Sequence, residues 1–94
     1  MELEKRVKVH KDIVLDLNHT YEIKNIDYGD SFSKSLDEDG LLVSKIRLSD
    51  KMNRFKSLIK NNDNLVKDES IEDTLLDMAN YAIMTVMWLR EQKK

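Results

Sequence analysis

From Glu69 to Leu89 the chain runs without a proline or a glycine and with apolar residues at helical spacing, so this last third has to be read as one long helix. Ser70 followed by Asp73 predicts its start. The Ser70 hydroxyl can accept from the Asp73 backbone N–H while the Asp73 carboxylate reaches back, and the acids suit the positive end of the helix dipole. At about 100° per residue, Ile71, Leu75, Met78, Ala79, Ala82, Val86 and Leu89 form an apolar stripe. Asp73, Asp77 and Asn80 cluster on the other side within about 60°, so two carboxylates and a carboxamide project together. Tyr81 to Leu89 is apolar almost all the way round. A monomer's surface helix keeps one face polar, so this end, with Met84, Met87 and Trp88, predicts a subunit interface.

The rest of the chain is as sparsely punctuated. Its 94 residues hold no proline and two glycines, Gly29 and Gly40, which fits an all-α fold of long helices joined by few turns. The expected architecture is a single domain over residues 1–94, a small bundle of three long helices plus one short helix. So small a chain buries a modest core, which again favours a homo-oligomer. With no cysteine, disulfides and thiolate metal sites are excluded. Sixteen basic and eighteen acidic residues leave a net charge of −2, so no global field draws nucleic acid and any anion site must be local. The charged start, Met1-Glu2-Leu3-Glu4-Lys5-Arg6, lacks the apolar core of a signal peptide, and the run at 81–89 is too short to span a bilayer. A cytoplasmic protein with no membrane partner is expected.

A first helix is predicted from Leu3 to about Lys24, with Leu3, Val7, His10, Val14, Leu17 and Tyr21 on one stripe widened by Ile13. His10 on that stripe reads as a packed histidine; His19 lies on another face, so the two make no metal pair. Asp12 and Asp16 read as solvated acids beside Lys8 and Lys11, with a shared cation as the alternative. Around Gly29 the helical period breaks, and Asp30 or Ser31 is placed to cap a short helix that turns Phe32 and Leu36 inward. Gly40 suits the left-handed position after that helix. A third helix over Leu41 to about Lys60 puts Leu41, Leu48, Met52, Phe55 and Ile59 on one stripe, flanked by Leu42 and Ile46. Asn61-Asn62-Asp63-Asn64 then forms a polar turn, and Leu65-Val66-Lys67-Asp68 leads into the last helix.

Arg47, Lys51 and Arg54, at spacings of four and three, also fall within about 60° of one another beside the apolar stripe. If the last two helices pack antiparallel, this basic triad and Asp73, Asp77 and Asn80 can pair as an interhelical ladder. Alternatively, the cations converge on a phosphate, the carboxylates Asp73 and Asp77 hold Mg²⁺ or orient hydroxyls, and an aromatic such as Tyr28 stacks on a base.

Three blocks taken together, Tyr28-Gly29-Asp30-Ser31-Phe32, Ile46 to Arg54, and Glu69 to Ile83, resemble the nucleotide modification associated domain 1 family, small α-helical proteins of phages and bacteria. The resemblance covers about residues 20 to 90. It implies a link to phage nucleotide metabolism or modified nucleotides, and it marks Tyr28, Asp30, Arg47, Asp50, Lys51, Arg54, Asp73, Asp77, Asn80 and Tyr81 as candidate functional residues. The last block is also similar to MazG-like all-α nucleotide pyrophosphohydrolases, whose helices carry a Glu-Glu-x-x-Glu motif and a later Glu-x-x-Asp motif around Mg²⁺. Here the first helix offers Asp12 and Asp16 and the last Asp73 and Asp77, and a cationic ladder stands where further acids would help hydrolysis.

The leading expectation is therefore a small nucleotide-binding protein that captures a nucleotide or nucleotide-derived ligand, with Tyr28, Asp30, Arg47, Lys51, Arg54, Asn80 and Tyr81 as its binding residues. In a phage, such a protein would sequester a cyclic immune signal of the host or serve nucleotide modification, working in the host cytoplasm. The alternative is a Mg²⁺-dependent pyrophosphohydrolase with Asp73 and Asp77, joined by Glu69 or Glu72, as metal ligands. A third reading is an interaction module whose apolar last helix docks a partner. A nucleic-acid reader is disfavoured by the net acidity and by Asp50 beside the basic triad.

Overall fold

The computed structural model describes residues 2–60 and 64–93, with Ile26 and residues 64–69 described by their backbone only. Every regular element among them is helical: α1 spans Leu3–Ile23, α2 Ser31–Asp39, α3 Leu41–Lys60 and α4 Asn64–Gln92, with a π-helical stretch over Asn25–Asp30 between α1 and α2. Three long helices and one short one are as the periodicity predicts. Among the described residues no helix is long and apolar enough to cross a membrane.

Local chemistry sets the breaks. The π-helical stretch continues straight into α2: Asp30 is itself right-handed helical and makes no side-chain cap, so the expected cap at Asp30 or Ser31 is replaced by unbroken backbone. The wider π turn lies on the end of α1 because Gly29 has no Cβ; one built there would stand 2.6 Å from Tyr21 Cε1. Gly40 ends α2 at φ +72°, where its N–H bonds the Leu36 carbonyl at 2.8 Å and the chain turns directly into α3. The expected turn at 61–63 lies outside the described residues. Asn64 is already the first residue of α4, so Ser70 sits inside the helix, where its carbonyl accepts from the Thr74 hydroxyl at 2.7 Å; the expected Ser70 cap does not form.

The core is small and aromatic. Phe32, Leu36 and Met84 are buried, with Tyr21, Tyr28, Val43, Tyr81 and Trp88 packed around them. Phe32 meets Tyr81 edge to face at 5.0 Å between ring centroids, and Tyr28 meets Tyr81 at 5.2 Å. Polar bonds fix the helices on this core. Ser44 on α3 and Thr85 on α4 share a hydrogen bond of 2.7 Å, and Trp88 Nε1 donates to Asp37 Oδ1 at 2.8 Å. Asn80, also buried, donates from Nδ2 to the Leu17 carbonyl at 3.1 Å and so ties α1 to α4.

Which face of each helix turns inward differs from the periodicity in three places. On α4 the inward side carries Thr74, Asn80, Tyr81, Met84 and Trp88, while Leu75, Ala82, Val86 and Leu89 from the apolar stripe are exposed. Rings decide this: a buried aromatic removes about 150–250 Å² from water, far more than the alanines of the opposite stripe. On α3, Ser44 is buried and Leu48, Lys51, Phe55 and Leu58 are half-buried, leaving Leu41, Met52 and Ile59 of the predicted stripe in solvent. On α1 only Leu17 is buried. Leu3 and Val7 are 75% and 59% exposed, and His10 is exposed rather than packed, because α1 meets the rest of the protein through its C-terminal half. Asp12 is ion-paired with Lys8 at 2.9 Å on the surface, the local pair its spacing suggested.

Candidate functional site

The packing of α3 against α4 below the π-helical stretch gathers the chemistry around Asp77. Its carboxylate takes the Lys51 ammonium at 3.1 Å, with both side chains partly exposed, and its backbone carbonyl accepts a long bond of 3.5 Å from the Tyr28 hydroxyl. Three elements, α3, α4 and the π-helical stretch, thus meet at one residue. Burial, the Asp77 carboxylate and the neighbouring Tyr81 push the Tyr28 phenol well above its ordinary pKa, so it stays protonated and serves as a donor.

On the α3 side of this junction lies a shallow hollow of about 70 Å³, lined by Asp27, Tyr28, Ser31, Ser35, Arg47 and Tyr81 over the ring of Phe32. Arg47 comes from α3, the tyrosines from the π-helical stretch and α4, and the serines from α2, so four elements after α1 build the wall. Among the described residues no carboxylate lies within ion-pair distance of the Arg47 guanidinium. On the α1 side a larger depression of about 360 Å³ is lined by Thr20, Lys24, Asp73, Leu76 and Asp77.

The residues marked by the sequence are therefore divided among several places. Tyr28, Arg47 and Tyr81 share one hollow. Lys51 is engaged by Asp77, one rung of the expected interhelical ladder. Arg54 and Asp50 are exposed on α3 and line neither hollow. Asp30 lines a different depression, with Tyr21, Phe32, Trp88 and Glu91. Asn80 points to α1 and its amide is used on the Leu17 carbonyl. Asp73 and Asp77 do face one depression, but among the described residues no group of three His, Cys, Asp or Glu side chains could hold a metal ion. With Asp77 already bonded to an ammonium, this donor set is a poor fit to Mg²⁺, which asks for near-octahedral oxygen ligands.

Sequence reasoning missed Asp27, Ser31 and Ser35. Nothing in their spacing signals a site, because they reach Arg47 only through the π-helical turn, which adds a residue to the helical repeat and resets every face after it.

The model of the family described as nucleotide modification associated domain 1 matches residues 24–89, which includes the π-helical stretch, α2, α3 and nearly all of α4. The chain belongs to this family. The match begins where α1 ends, so the elements of this nucleotide modification associated domain are those that build the Tyr28, Arg47 and Tyr81 hollow. No curated protein and no solved structure matches the chain.

Proposed function

We propose that this nucleotide modification associated domain captures a nucleotide or nucleotide-derived ligand, cyclic signalling nucleotides included, as a homo-oligomer in the cytoplasm, that of the host if a phage encodes it. The observation that carries the reading is the convergence of Arg47, with no carboxylate within ion-pair distance among the described residues, on the same hollow as Tyr28 and Tyr81. A guanidinium offers a planar fork of donors to phosphate, Ser31 lines the same hollow, and tyrosine rings offer a face to a base. At about 70 Å³ the hollow is well below the roughly 300 Å³ of a pocket that encloses a small molecule. It therefore grips one end of the ligand, and the remainder lies along the neighbouring surface toward Lys51 and Arg54. Isothermal titration against mono-, di- and cyclic nucleotides tests the reading. Losing a charged hydrogen bond of about 1.5–3 kcal/mol, Arg47→Ala should weaken binding by roughly ten- to a hundredfold. No binding across the panel, or equal binding by the variant, refutes it.

The hydrolytic alternative draws on one observation, that Asp73 and Asp77 face the same depression beside Lys24. The Lys51–Asp77 pair counts against it, since it lowers the carboxylate charge a cation would need. Turnover of nucleoside triphosphates with Mg²⁺ that is abolished by Asp77→Ala would establish hydrolysis. A nucleotide recovered unchanged from the denatured protein would establish capture.

A further inference from the structure

The outward face of α4 has a pattern that the ligand reading does not use. Leu75, Ala79, Ala82, Val86 and Leu89 follow one another at steps of four, three, four and three, a mean of 3.5 residues. That spacing sets all five on one side of the helix, the alternation by which one helix presents a seam to another. Leu75, Val86 and Leu89 are 44%, 46% and 37% exposed, Ala82 is exposed and Ala79 half-buried, so most of the seam faces outward among the described residues. The inward face of the same helix, with Tyr81, Met84 and Trp88, is already packed.

We propose that this seam binds the same helix of a second copy, running antiparallel, and so forms a two-fold interface. Ala82 lies midway between Leu75 and Leu89, so in an antiparallel pair centred there Leu75 of one copy meets Leu89 of the other, Ala79 meets Val86, and Ala82 meets its own counterpart where the helix backbones can approach closely. A two-fold contact requires one patch to fit its own reverse, which this order does. Charge fixes the direction. The exposed charged residues beside the seam are Glu72 at its start and Arg90 and Lys93 at its end. An antiparallel pair sets acids against bases and opposes the helix dipoles, whereas a parallel pair sets like against like. The seam runs about 21 Å at 1.5 Å per residue, and one helix width across, which is less than a stable dimer buries. Its flank supplies more. Ile83 leads from the seam into an apolar groove of about 180 Å³ between α4 and α1, whose far wall includes Val14, with exposed Val7 on the same stripe of α1. The hollow of Arg47 lies across α4 from the seam, so pairing leaves it open.

The proposal deepens the oligomeric part of the functional reading and is independent of the ligand part. Sedimentation equilibrium of the full chain at tens of micromolar should give two copies or an even multiple, and Ala82→Glu should halve that mass with the helical circular dichroism retained. Because the chain has no cysteine, introduced thiols report the direction without depending on a charged variant. Under mild oxidation Ala82→Cys should give a disulfide-linked pair, and Glu72→Cys, held far from its counterpart in an antiparallel pair, should not. A strict monomer overturns both the oligomer and the seam. An oligomer in which Ala82→Cys fails to cross-link overturns the seam alone, and one that cross-links equally at Glu72→Cys overturns the antiparallel arrangement.

Discussion

Replacing Gly29 by alanine sets two effects of similar size against each other. Gly29 lies within helical backbone at negative φ, where an alanine would ordinarily gain about 1 kcal/mol in helix propensity. Its Cβ, however, would stand 2.6 Å from Tyr21 Cε1, 3.2 Å from Tyr21 Cζ and 2.8 Å from Asn25 Oδ1. Carbon atoms rest about 3.5–4.0 Å apart, so the Tyr21 ring must move by roughly 1 Å. That ring packs against the Phe32, Leu36 and Met84 core, and forcing such a shift costs about 1–3 kcal/mol. The clash therefore wins, and Gly29→Ala should destabilise by about 1 kcal/mol, which for a chain of this size lowers Tm by roughly 4–8 °C. Urea unfolding followed by circular dichroism, at one fixed protein concentration, measures it. In a Tyr21→Ala background the ring is gone and the carboxamide of Asn25 can turn away, so the same substitution should become stabilising by up to about 1 kcal/mol. A stabilising effect of Gly29→Ala in the wild-type background refutes the close packing of the π-helical stretch on α1.

The Tyr28 phenol gives a signature at high pH. Its folded pKa is raised, so above about 10 the unfolded phenol loses its proton while the folded one keeps it, and stability must fall as pH rises. Tyr28→Phe should flatten that loss in urea titrations between pH 8 and 11; an unchanged slope would place the hydroxyl in solvent. Asn80→Ala removes the buried bond to the Leu17 carbonyl and should cost about 1–3 kcal/mol. Since Leu17 is the one buried residue of α1, hydrogen exchange should rise selectively along α1, and an equal rise in α3 would contradict the docking described.

Much of the fold is legible in the residues because helix formation is local. The absence of proline, the run without glycine over Leu41–Lys60 and the positive φ needed at Gly40 mark the long helices and one of their breaks from neighbouring residues alone. Where a signal depended on a competitor out of sight, it failed. The Ser70–Asp73 pair has the chemistry of a cap, but α4 extends to Asn64, so the same side chains serve inside a helix. His10 shares a stripe with Leu17 and Tyr21, yet α1 turns only its C-terminal half onto the protein. The two triads were visible as clusters. Their division was not, since residues spread over about 60° of a helix straddle the edge of its packed face: Lys51 and Asp77 pair while Arg47 turns to the tyrosines and Arg54 to solvent.

The sequence by itself therefore determined the helices and the places where charge gathers, because each depends on residues within a few turns of one another. Only the tertiary structure decided which side of α4 faces inward. Periodicity counts apolar residues equally, and folding weighs them by area, so Tyr81, Met84 and Trp88 turn in and the alanine-centred seam is left outside. The same choice placed Arg47 against Tyr28 and Tyr81 from three separate elements, a meeting no local pattern encodes.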